Sequence, residues 1–125
     1  MTTTEEKTMT TQQVAHRFNE LAQQGQFEQI LKELYGKDAK SIEPPNSFWK
    51  TVHGLDQIIE KGKQWNSTVE EMHGGYTNEP QVAGNFFCCT MGMDVTVKGQ
   101  GRMKVDEVAV YEVKNGKIVL EQFFY

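Results

Sequence analysis

Asn115 and Gly116 stand between two runs of alternating apolar residues, and this dipeptide constrains the fold more than any other feature of the chain. Both residues tolerate the positive φ of a two-residue hairpin turn, so Arg102 to Val113 and Lys117 to Tyr125 read as neighbouring antiparallel strands. Gly99-Gln100-Gly101 and Asn78-Glu79-Pro80 mark two earlier turns. Between them, Val82 to Val97 reads as one long strand with Gly84 and Gly92 as bend points. Ser67 to Tyr76 reads as a strand in which Gly74-Gly75 signals a bulge or tight bend. The C-terminal half is therefore an antiparallel meander.

The N-terminal half has a helical period. Thr10 and Gln13 have the spacing of a capping box, and Val14, Phe18, Leu21 and Ala22 then recur on one face up to a stop at Gly25. Phe27, Ile30, Leu31 and Leu34 form the stripe of a second helix, ended by Gly36. A short strand, Ala39 to Glu43, precedes a third helix from about Gly54 to Trp65, with Leu55, Ile58, Ile59 and Trp65 inward. Gly62 inside that helix weakens it by roughly 1 kcal/mol relative to alanine. Residues 1–9 are Thr-rich and read as a loose tail, leaving residues 10–125 as a single domain. Helices followed by strands give an α+β fold, with three helices on a strongly curved antiparallel sheet. Such a sheet forms a cone, and the interior of a cone is a candidate pocket.

Composition removes several function classes. Of 125 residues, 38% are apolar and 24% charged, which suits a globular chain. The net charge of -4, without a basic stripe, argues against a nucleic-acid partner. No apolar run reaches membrane-spanning length, and the N-terminus lacks the pattern of a signal peptide. Cys88 and Cys89 are adjacent and point to opposite faces of a strand, so they read as two free thiols in a reducing, cytoplasmic compartment. The three histidines show no metal-ligand spacing, so no metal site is expected. Nucleophile elbows, phosphate loops and dinucleotide fingerprints are also lacking.

Acids in unusual places carry the candidate chemistry. Glu43 ends a strand and is followed by Pro44 and Pro45, which stop the ladder and hold the preceding residue extended. A carboxylate fixed there suits proton abstraction; an ordinary strand-end acid has the same placement. Glu107 shares strand parity with Met103, Val105, Ala109, Tyr111 and Val113, which points it inward unless a bulge or a lysine partner takes it out. His73 shares parity with Val69 and Glu71 and reads either as a pocket donor or as an ordinary strand histidine. Glu121 and Asp94 are ambiguous in parity. Trp49 and Phe48 suit a pocket mouth that stacks on a flat apolar ligand, and Trp65 either joins them or packs helix to sheet. Met91, with Met93 and the cysteines, reads as soft filling, and Phe18 and Tyr111 as core or pocket wall.

Four passages resemble the nuclear transport factor 2-like superfamily, with its cystatin-like cone, and within it the SnoaL-like group. They are Phe18 to Gln26, Leu34-Tyr35-Gly36-Lys37-Asp38-Ala39, Val52-His53-Gly54-Leu55-Asp56-Gln57-Ile58, and Tyr111-Glu112-Val113-Lys114-Asn115-Gly116-Lys117-Ile118-Val119. The resemblance implies a small apolar ligand, a homodimer paired through the sheet, and, in an enzyme, acid–base chemistry without a cofactor. Glu43 sits where ketosteroid isomerases of this superfamily carry their general-base aspartate, before a proline. Phe18 stands where those enzymes carry a tyrosine, and it has no hydroxyl to donate. On this reading Glu43 takes the proton and Glu107 or His73 polarises the substrate oxygen. Phe18, Trp49, Trp65, Met91 and Tyr111 line the pocket. The alternative is a non-catalytic ligand-binding or dimeric interaction protein.

Overall fold

The computed structural model describes residues 8–125. The Thr-rich segment expected to be loose lies mostly outside these residues; Met9, at its end, packs against the core.

Helix α1 (Thr11–Gln23) starts at the expected capping box. Thr10 Oγ1 accepts the Gln13 N–H at 3.1 Å, and Gln13 Oε1 accepts the Thr10 N–H at 2.9 Å. Its stripe of Val14, Ala15, Phe18, Leu21 and Ala22 is buried. Helix α2 (Phe27–Leu34) buries Ile30 and Leu34. The chain then passes straight into β1 (Tyr35–Ile42), four residues earlier than the sequence suggests. Gly36 does not take the left-handed conformation that would end a helix, and it lies within the strand. Burial of Tyr35, Ala39 and Ser41 fixes the inner face of β1.

A loop leads to β2 (Val52–His53), which pairs with β1, and Gly54 (φ 101°) starts helix α3 (Leu55–Thr68). The remainder is β3 (Val69–Thr77), β4 (Gln81–Ala83), β5 (Phe86–Val97), β6 (Gly101–Lys114) and β7 (Lys117–Phe124). The single strand expected from Val82 to Val97 is two. Gly84, at φ 59°, reverses the chain, and β4 folds back on β5. Asn115 and Gly116 both adopt positive φ, as their hairpin requires. The pairing of β3 with β5 shifts register between Met72 and Gly74, so the Gly74-Gly75 signal marks a real irregularity.

The strand order is β2-β1-β7-β6-β5-β3, with β4 on β5. All pairs are antiparallel except β1 with β7, which run parallel and place Ser41 beside Glu121. The wholly antiparallel sheet expected from sequence is therefore mixed. β1 and β7 are far apart in the chain, so no hairpin fixes their relative direction.

Helices cover one face, where Phe18, Phe87 and Tyr111 pack ring against ring with centroids 4.8–5.3 Å apart. On the opposite face Gly92 leaves room for Tyr76, whose hydroxyl donates to Asp106 Oδ1 at 2.6 Å. A Cβ at Gly92 would lie 2.5 Å from Tyr76 Cε1 and 2.7 Å from the Val105 carbonyl oxygen, so close approach dictates glycine here. Cys89 is buried on the helix side and Cys88 is only partly covered, and both thiols are free.

Candidate functional site

Parallel pairing of β1 with β7 sets Ser41 directly beside Glu121 on the helix-covered face. Both are almost wholly buried, at 0% and 6% exposure. Ser41 Oγ donates to Glu121 Oε2 at 2.6 Å, and the Tyr35 hydroxyl donates to Oε1. Lys61 lies on α3 one turn after buried Ile58, so its side chain hangs over the same end of β1. Its Nζ donates to Ser41 Oγ at 2.8 Å, to Glu43 Oε2 at 2.6 Å and to the Lys50 carbonyl at 3.4 Å. Glu43 Oε1 accepts the Tyr125 hydroxyl at 2.8 Å. Tyr125 also meets Ser47 Oγ at 2.5 Å. A continuous hydrogen-bonded chain thus runs from Tyr35 through Glu121, Ser41, Lys61, Glu43 and Tyr125 to Ser47.

This chain satisfies groups that would otherwise be costly to bury. The side chains of Glu43 and Lys61 are 7% and 13% exposed, so each depends on the other for charge compensation. Burial raises the Glu121 carboxyl; donation from Ser41 and Tyr35 and the charge of Lys61 lower it, and Glu43 raises it again. Glu107 projects from β6 directly opposite Met91, half-buried, on the side of the sheet that carries Ala109 and Tyr111. Burial, then the charges of Glu43 and Glu121, push its carboxyl up to about 7. Tyr125 is pushed up to about 12, chiefly by burial, so its phenol is a donor at neutral pH.

Glu43 and Glu107, singled out from sequence, are therefore close enough for the charge of one to act on the other, with Met91 beside Glu107. His73 is not among them. Its Nε2 meets Thr96 Oγ1 at 2.7 Å, and Thr96 has the opposite β5 parity to Met91, which places the imidazole on the other side of the sheet. The register shift around it removes the basis for assigning its direction by alternation. Phe18 and Tyr111, 2% and 3% exposed, belong to the ring cluster that fills the centre of the helix-covered face. Trp49 and Trp65 meet edge to face at 5.8 Å. Beside them, a cavity of about 230 Å³ opens between the loop after β1 and helix α3, with Trp49 and Lys61 in its walls. Space thus lies at the rim, while aromatic rings occupy the centre where an interior pocket is expected. A wider groove of about 790 Å³ lies between the start of α1 and the β6–β7 hairpin.

Lys61, Ser41, Tyr35 and Tyr125 were not legible as site residues. Lys61 had a usable signal, being a lone cation within the stripe of Ile58 and Trp65, the helical counterpart of Glu107 among apolar strand residues.

Residues 9–125 match the family described as the SnoaL-like domain. A candidate SnoaL-like polyketide cyclase from Mesorhizobium loti is 36% identical, with 94% of this chain and all of that chain covered and a TM-score of 0.88. An NTF2-like protein of unknown function from Burkholderia pseudomallei shares the fold at 19% identity, covering 92% and 89% of the two chains, with a TM-score of 0.72. A protein with a cystatin-like fold from Xanthomonas campestris does so at 18% identity, covering 93% and 90%, with a TM-score of 0.76. No curated protein matches the chain in sequence.

Proposed function

This chain belongs to the SnoaL-like domain family, and from that premise we propose that it binds a small apolar carbonyl compound and moves a proton on it without a cofactor. One observation carries the reading. Among Glu43, Glu107 and Glu121, Glu107 is the one with no hydrogen-bond partner among the described residues, although the charges of the other two act on it, whereas both oxygens of Glu43 are engaged.

The geometry favours exchanging the roles suggested by sequence. Glu107, with a carboxyl near 7, alternates between acid and base close to neutrality, where proton transfer is most efficient. As carboxylate it takes a proton from the carbon next to the carbonyl; as acid it returns that proton to another atom of the same molecule. Negative charge gathers meanwhile on the carbonyl oxygen and needs a donor. Lys61 supplies it through the N–H whose present contact, Lys50 O at 3.4 Å, is its longest. Glu43 anchors Lys61 and Tyr125 rather than taking the proton itself.

Incubation with a panel of cyclic and aryl ketones in D₂O, followed by NMR, tests this directly. Deuterium is expected to enter the carbon next to the carbonyl of at least one ketone. Glu107→Gln should slow this by about 100-fold or more, within the usual contribution of a positioned acid–base group. An unchanged rate rejects Glu107 as the proton carrier.

A second reading, a dimeric interaction protein, draws support from the uncovered sheet face. Phe86, Val108 and Phe124 are 40–49% exposed there, and Val108 pairs directly with Phe124. Such a patch needs cover, and a second copy of the same face supplies it. Sedimentation at micromolar concentration should show a homodimer that Val108→Lys dissociates; a wild-type monomer refutes the pairing.

A further inference from the structure

We propose that the cavity between α3 and the loop after β1 is a subsite for one planar ring bearing an oxygen substituent, with Trp49 as its stacking plate. The proposal rests on the carbonyl-ligand reading above and locates where part of that ligand sits.

The loop is built to hold a ring in place. Nine residues, Glu43 to Thr51, join β1 to β2, against the two to five usual for a hairpin. They form an ordered strap. Glu43 N–H donates to Thr51 Oγ1 at 3.0 Å, and Ser47 N–H to the Pro44 carbonyl at 3.0 Å. Ser47 Oγ accepts the Trp49 N–H at 3.0 Å and meets Tyr125. Trp49 is thereby fixed in backbone and wedged between Phe48 and Trp65, perpendicular to one and nearly so to the other. Phe48 is 83% exposed, so core packing does not account for an aromatic residue at that position.

The opposite wall has different chemistry. Gln57, Glu60, Lys61 and Gln64 follow the i, i+3, i+4, i+7 spacing of one helix face. The carboxamides of Gln57 and Gln64 make no hydrogen bond to other described residues, so their donors and acceptors are available to a ligand. Lys61 borders the cavity with its Nζ held by Glu43 and Ser41. Aromatic and apolar groups on one side and amides on the other suit a flat ring with an oxygen at its edge. The volume agrees: about 230 Å³ exceeds the roughly 150 Å³ cavity that holds benzene, and falls below the range for a drug-sized molecule. The same Lys61 borders the cavity and holds Glu43, so a ring seated there extends toward the acids.

The probe is 4-hydroxyacetophenone, titrated into the ¹⁵N-labelled full chain. The Trp49 indole N–H and the Gln57 and Gln64 carboxamide signals should shift together and saturate. Trp49→Leu should weaken binding by about tenfold, the value of one ring contact. Gln57→Leu, at an exposed helical position where folding is not at issue, should weaken binding while sparing the Trp49 shift at saturation. Shifts confined to Met91 and Glu107, with the cavity signals unmoved, overturn the subsite and leave the carbonyl-ligand reading standing. Saturable shifts in the cavity, with no deuterium entering any ketone, support the subsite and count against the proton transfer. No saturable shift at millimolar probe overturns the subsite.

Discussion

Lys61→Met should destabilise the fold by about 3–5 kcal/mol at neutral pH, the cost of leaving one member of a buried ion pair without its partner. Methionine keeps the length of the alkyl stem, so packing against β1 changes little and the loss reports on charge. Glu43 would retain only the Tyr125 hydroxyl, and Glu121 would lose the one cation that lowers its carboxyl. Urea unfolding followed by circular dichroism measures the effect. The informative comparison is Lys61→Met with Glu43→Gln, which removes both charges and should recover most of the stability. A single variant within about 1 kcal/mol of wild type would mean that the pair behaves as an exposed one. A double variant no better than the single one would assign the loss to packing.

Why that pair escaped the sequence shows where such reading stops. The turn at Asn115-Gly116, the capping box at Thr10 and the stripe of α1 are local, and each appears where the sequence placed it. Pairing of β1 with β7 is not local. Ser41 and Glu121 become neighbours only because two strands 80 residues apart run parallel, and nothing in either segment announces that direction. Lys61 reaches Glu43 directly and Glu121 through Ser41 because α3 lies over β1, again a tertiary fact. Glu107 was legible because its direction rests on strict alternation along an unbroken strand, whereas His73 sits at a register shift where alternation fails. Gly84 and Gly36 show the same limit: a glycine marks a special place in the backbone without saying whether the chain bends, reverses or continues. Identification of the family came from the order of several passages together, none of which is diagnostic alone.

The second large effect has the opposite sign to most substitutions at a site: Glu107→Gln should make the protein more stable in mild alkali. Glu107 has its carboxyl raised from the ordinary 4.5 to about 7 by burial and by the charges of Glu43 and Glu121. A raised carboxyl means that the folded chain holds the proton more tightly than the unfolded chain does. Its contribution is fully present below about pH 4.5 and is lost as pH rises through about 7. The interval corresponds to about 3 kcal/mol at full burial, and partial exposure brings this to about 2 kcal/mol. The other groups coupled to it do not offset this. Glu43 and Glu121 are acids, and Cys89, Tyr111 and Tyr125 have their own ionisations pushed upward, so they stay neutral across the window. Glutamine resembles the protonated acid and cannot ionise, so variant and wild type should match near pH 4 and diverge to about 2 kcal/mol by pH 8. Urea unfolding of the two proteins side by side at several pH values reads the difference, and titrating groups not coupled to Glu107 cancel in the comparison. A gap that does not change with pH would mean that Glu107 is solvated, and its placement as proton carrier would fall with it. A gap that opens with pH, together with slowed deuterium exchange in the same variant, would show one half-buried acid costing the fold stability in the ionised state that the proposed chemistry requires.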